Sequence, residues 1–279
     1  MSNEQIYVPT LNTETISKAN QTSSESLIDS NDWLPHANTL LSKEVLENND
    51  WLLWAAYHAS KVSSQMSKIT PSMALPLFRE PAHSPMMIYH GMNVIAAITK
   101  HLNPNQSPVL VMDQPLFTLG KKIQWEFPDT LGEDKFVLML GTMHTEKMML
   151  EMLGHWLNGS GWTAVLTNSG IASSGVAQSL IGVSHLTCTR YFHQVTSLAL
   201  YSLLLEAYGE YLVATTDDPP MNFKDWQNKQ KLDQPQFLFW HQTMELELTL
   251  LQFVKSLRTA DFKLYLEVLK NILPWVFLL

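Results

Sequence analysis

Three groups of residues in this chain have types and spacings that could do chemistry. The first is Asp113 with His144 and Glu146. Asp113 ends the apolar run Val109–Met112, and His144 follows the run Phe136–Leu140 through a Gly141–His144 turn. An acid at the carboxyl end of a parallel strand faces the crevice where open α/β sheets bind ligands. It could equally cap the next helix by accepting from a free N–H near Pro115. A carboxylate with His144 or Glu146 is a workable ligand set for Mg²⁺ or Mn²⁺, or a proton-transfer couple. The plainer alternative is a backbone-bonded histidine and a glutamate solvating the first turn of a helix.

The second group is His185, Arg190 and His193, in SHLTCTRYFHQV. On a helix Arg190 and His193 share a side, suited to a phosphate or carboxylate, or to an ordinary contact between helices. Cys188 between them has nothing to mark it as a nucleophile. The third group is Glu245 and Glu247, two acids on an otherwise apolar pattern. Positions i and i+2 point apart, so at most one faces inward. A solvated face is the first reading for both. An inward glutamate would need a partner, for which Arg258 and His241 are the candidates.

The elements that must position these residues are a strand, an amphipathic helix and a second strand. Leu116, Leu119, Ile123 and Phe127 form a helical stripe that Pro128 ends, and DTLGEDK follows as an acidic turn. FVLML, apolar without alternation, predicts a strand buried on both faces. Met86–His101 predicts a helix with Ile88, Met92, Ile95, Ala96 and Thr99 on one face, and NPNQSP closes it. Pro71, Pro76, Pro81 and Pro85 punctuate an irregular stretch before it. A helix from Glu146 to about Leu157 would bury Met149, Leu150, Leu153 and Trp156, and Gly159–Gly161 would stop it. Beyond Trp162 the pattern is helical: Tyr191–Tyr211, then Gln236–Ile272 with Asp261 as a cap between two helices.

The fold class is therefore α/β and predominantly helical, with a small parallel sheet (strands near 109–113 and 136–140) and a large helical C-terminal half. Residues 1–31, rich in Ser, Thr, Asn and Glu, predict a disordered acidic tail. Residues 32–162 would form the α/β core with a helical and Pro-rich lead-in, including a helix capped by Asp50. Residues 163–279 would form a helical region whose continuation past the apolar end is missing.

The chain has 279 residues, a net charge of −8 and one cysteine, which excludes an internal disulfide and a cysteine-based zinc site. Eight acids against two lysines in residues 1–60 hold most of that charge, and no basic block marks a nucleic-acid surface or nuclear signal. The polar N-terminus has no signal-peptide core, and the apolar end at 272–279 is too short to span a membrane. A location in nucleus or cytoplasm is expected. Walker, dinucleotide, HExxH and GxSxG signatures are missing, which removes most nucleotide-dependent, zinc-protease and α/β-hydrolase readings.

The run VLVMDQPLFTLGKKIQWEFPDTLGEDKFVLMLGTMHTEKMMLEMLGHWLNGSGW resembles a group of uncharacterised animal proteins whose copy number and scatter suggest mobile elements. LPLFREPAHS, TRYFHQVT and PQFLFWHQTMELELTLLQFVKSLR carry the same resemblance, from about Trp51 onward. In layout the chain is also similar to hAT- and Mutator-type transposases, whose RNase H-like core has a strand ending in Asp, a helix, and a strand ending in Cys-x-x-His. That resemblance implies a partial RNase H-like core. Asp113 would be its second acid, Gly141–His144 the Cys-x-x-His position with glycine for cysteine, and Glu245 or Glu247 the final acid. Asp113 and His144 would hold Mg²⁺ or Mn²⁺, as in two-metal phosphodiester chemistry. The first acid should sit on an earlier strand, and no acid before Asp113 fits that place, so the expectation is an incomplete or decayed transposase-like domain without activity alone. The alternatives are a helical module binding protein partners and a metal-dependent hydrolase or nuclease using Asp113, His144 and Glu146. Nucleic acid is the partner the first reading implies.

Overall fold

A computed structural model describes residues 34, 74–75, 79–216 and 219–276. The tail predicted at 1–31 and the helix predicted after Asp50 lie outside the described residues. The described chain is predominantly helical, with one small parallel sheet. It divides into two compact units, one of residues 68–146 and one of residues 1–67 and 147–279.

The first unit begins with α1 (Pro85–Leu102), where Pro85 sits in the opening turn and lacks only an N–H that no helical carbonyl would have accepted. Ile88 and Met92 are buried on its inner face. The turn at 103–108 leads into β1 (Val109–Met112), followed by α2 (Gln114–Glu126), the short α3 (Pro128–Leu131) and β2 (Val137–Leu140). Pro128 ends α2 as predicted, but it also opens α3, so the acidic turn starts with one helical turn. The strands pair in parallel, Val109 opposite Val137 and Met112 opposite Leu140. Such a pairing needs a crossover of about this length.

The strands are not buried on both faces. Leu110, Met112 and Leu138 pack on the core of Ile88, Met92, Ile123, Leu131 and Phe136, whereas Val109, Val111 and Val137 are exposed. Among the described residues, the helices that supply this core cover one face of a two-stranded sheet and leave Val109, Val111 and Val137 on the other exposed. Continuous apolar runs look the same in either case.

In the second unit the last helical turns of α4 (Thr142–Leu157) bury Met149, Leu150, Leu153 and Trp156. Gly159 and Gly161, at φ 76° and 87°, stop the helix in a backbone region open to glycine. The chain continues as α5 (Trp162–Asn168), α6 (Ser174–Ile181), α7 (Leu186–Ala214), α8 (Phe223–Asp233), α9 (Pro235–Thr259) and α10 (Phe262–Val276). α9 is the central element, its residues from Leu246 to Val254 all buried. Trp156 donates to Thr243 Oγ1 at 2.9 Å and stacks on Phe239, fixing α4 to α9. Leu34 joins the core formed by Leu198, Tyr201, Leu204, Trp226, Met244, Leu248 and Leu251. Asp261 caps α10, accepting from Leu264 N at 3.0 Å, where the sequence predicts a cap. The division between units falls between Glu146 and Lys147, inside α4. The change of pattern in the sequence comes later, after Trp162.

Candidate functional site

At the sheet edge of the first unit, β1 and β2 end side by side, and Gly141 N–H donates to Met112 O at 2.6 Å. Parallel pairing therefore brings Asp113 and the segment beginning at Gly141 to one edge, as the strand pattern predicts. Asp113 is exposed and acts as an N-cap, its Oδ1 accepting from Leu116 N at 3.1 Å. Gly141–His144 is not a free turn, because α4 begins at Thr142 and places His144 and Glu146 in its first turns. His144 is half-buried beside Gly141: a Cβ on that glycine would stand 3.6 Å from His144 Cδ2 and 3.1 Å from Met112 O. Glu146 is buried. Among the described residues no three His, Cys, Asp or Glu side chains stand together as metal donors.

In the helical unit the two acids of α9 separate as their spacing requires. Glu245 is half-buried and Glu247 wholly buried, so the solvated-face reading fails for Glu247. Its partner is neither Arg258, which is exposed, nor His241, but His193 of α7. His193 Nδ1 lies 3.0 Å from Glu247 Oε1, and both side chains are fully buried. Burial pushes the His193 pKa down to about 3 and the Glu247 carboxyl well above its usual range. Both shifts favour the neutral forms of this hydrogen-bonded pair. Among the described residues His193 Nε2 and Glu247 Oε2 have no hydrogen-bond partner. The Trp162 ring stacks on His193 at 5.1 Å, and its Nε1 donates to Thr196 Oγ1 at 2.9 Å. Arg190 is half-buried and His185 exposed.

Trp162 also lines a cavity of about 610 Å³. Trp162 and Val165 wall it from α5, Thr196, Ala199 and Leu203 from α7, and Trp240 and His241 from α9. Its surface is almost wholly apolar, and Val165, Ile171 and Leu203 are exposed at its rim. His241 is 7% exposed, and its Nε2 has no partner. Burial, then the Lys231 charge, lowers its pKa to about 3, so it is neutral across the physiological range. Lys231 is itself lowered by burial, against the opposing pull of Glu245.

The expected sites do not include this cavity. Its signal in the sequence is a stripe along α7 (Val195, Ala199, Leu203, Ala207), which reads as ordinary core without the facing helix.

A two-unit, mostly helical α/β protein with a buried neutral His–Glu pair beside an apolar cavity is the class that fold and site define. A family model described as a domain of unknown function (DUF8702) matches residues 53–218, more than half the chain, and the chain belongs to that family. The match spans the α/β unit and α4 to α7, and ends before α9, which supplies His241 and Glu247. Comparison with curated proteins and with solved structures gave no match.

Proposed function

We propose that this protein works by binding, with the helical unit as its working part and the apolar cavity as its site. The observation that carries this reading is the cavity itself. Its volume of about 610 Å³ falls in the range of small-molecule sites, roughly 300–1,000 Å³, and apolar walls with few polar groups are the usual composition of such sites. The buried acid and histidine beside it are held neutral by their surroundings, which suits a rigid wall better than proton transfer near pH 7. Diphenylhexatriene, a hydrocarbon dye that fluoresces in apolar surroundings, should bind saturably at one site per chain. Ala199→Trp, which places a large ring at an exposed position on the cavity wall, should abolish that binding while leaving the far-ultraviolet circular dichroism unchanged. Equal binding by the variant, or none by the wild type, would sink the reading.

A second reading concerns origin and the sheet edge. We infer a mobile-element ancestry with an incomplete RNase H-like core, supported by the resemblance of the sequence and by the shared edge of Asp113 and Gly141–His144. In that reading Asp113 and His144 bind Mg²⁺ or Mn²⁺, and nucleic acid is the ancestral partner. Titrating either ion into wild type and Asp113→Ala during the same binding series should give heat from the wild type alone; flat traces from both remove the metal site.

A further inference from the structure

One wall residue of the cavity, His241, carries a buried nitrogen without a hydrogen-bond partner among the described residues, and that nitrogen narrows what can fill it. Four residues with polar side chains line the wall: Ser160, Thr196, Gln236 and His241. The Ser160 hydroxyl donates to Leu157 O at 2.7 Å and accepts from Trp162 N at 3.3 Å. Thr196 donates to Phe192 O at 2.9 Å and accepts from the Trp162 indole. Gln236 is exposed at the start of α9 and has water available. His241 is the exception. It is more than nine-tenths buried, Phe237 packs on its ring at 5.8 Å, and its Nε2 has no hydrogen-bond partner among the described residues.

A buried nitrogen without a partner destabilises the empty protein, and a ligand group that bonds it relieves that loss. The charge on the groups nearest His241 bears on the kind of ligand. Lys231 is the cation that acts on the imidazole, and Glu245 already acts on Lys231. Among the described residues that line the cavity there is no Asp, Glu, Lys or Arg to hold an ionised headgroup, and an ion without a partner is costly there.

Resting on the reading of the cavity as a binding site, we propose that its ligand is a neutral, mostly apolar molecule carrying one hydroxyl or carbonyl, which hydrogen-bonds to His241. The torsion of an imidazole about its Cβ–Cγ bond is broad, so a modest turn of the ring presents a nitrogen at the wall. The alkyl part lies along Trp162, Ala199, Leu203 and Trp240, where each buried methylene contributes in proportion to the area it removes from water.

The test is competition against bound diphenylhexatriene by three molecules with the same tail: 1-decanol, decanoate and decyltrimethylammonium. The alcohol should displace the dye at concentrations at least roughly tenfold below either ion, since a neutral headgroup avoids the burial of charge. His241→Phe should weaken decanol by roughly three- to tenfold relative to the hydrocarbon dye bound by the same variant, the range of one ordinary hydrogen bond. His241→Gln, which keeps a hydrogen-bonding group, should restore most of the loss and serves as the decisive variant if the phenylalanine disturbs the fold. Equal displacement by all three competitors, tighter binding of an ion, or undiminished decanol affinity in both variants would overturn the assignment of ligand class. Failure of the dye to bind at all would instead overturn the cavity reading on which it rests.

Discussion

Glu247 is as fully buried as Leu248 beside it, yet it carries an ionisable group, and its effect on stability has a definite sign. Burial raises its folded pKa well above 4.5. Above pH 4.5 the unfolded chain has released this proton while the folded chain still holds it. The unfolded state binds fewer protons, so stability falls as pH rises, until the folded carboxyl also ionises. His193 and His241 act in the opposite sense. Their folded values lie near 3 against an ordinary 6.5, so the unfolded chain takes up a proton first as pH falls. Acidification from pH 6.5 toward 3 then costs about 1.4 kcal/mol per pH unit for each histidine. Between about pH 7.5 and 8.5 both histidines are essentially neutral in either state, which isolates the glutamate. Urea unfolding over that window should show the wild type losing stability relative to Glu247→Gln, by up to about 1.4 kcal/mol per pH unit. Parallel profiles would mean that Glu247 is ionised in the fold.

At the scale of elements, much was legible because it is local. The strand at 109–112, the helix after Asp113, the residues α4 buries and the Asp261 cap all follow from periodicity, proline and capping chemistry within a few residues. What was not legible depends on partners distant in sequence. Nothing within α9 could name His193, 54 residues earlier, as the partner of Glu247. Nor could FVLML reveal that only one face of the sheet is covered. The cavity needs α5, α7 and α9 together, so no single stretch announces it. The contact between α4 and α6 shows the same dependence and gives a sharp test. Gly154 lies mid-helix, where alanine ordinarily gains about 1 kcal/mol over glycine. Here an added Cβ would run into the Ile181 backbone carbonyl, which cannot swing aside as a side chain can. Gly154→Ala should therefore destabilise, by about 1–3 kcal/mol as for other overpacked sites, and lower the thermal midpoint by several degrees. A stabilised variant would show that the two helices do not approach this closely.

At the scale of the molecule, the chain order matters more than the element list. The α/β unit of residues 68–146 lies in sequence between the two parts of the helical unit, residues 1–67 and 147–279. Each unit has a core of its own. Ile123 sits among Ile88, Met92, Leu131 and Phe136 in one, and Leu34 among Leu198, Tyr201, Trp226 and Leu248 in the other. Two separate cores make a single all-or-none transition a poor expectation. Leu34 is fully buried and far in sequence from the helices it packs on, so Leu34→Ala should cost about 2–5 kcal/mol, by lost transfer energy and the hollow left behind. That loss should appear in α7, α8 and α9 and leave α1, β1 and α2 protected as before. Ile123→Ala should do the reverse, weakening the α/β unit and sparing the helices around Leu34. Hydrogen exchange read by mass spectrometry across a urea series measures both segments in one experiment. If either substitution lowers protection equally in both units, the chain unfolds as one block and its division into two cores is not an energetic one.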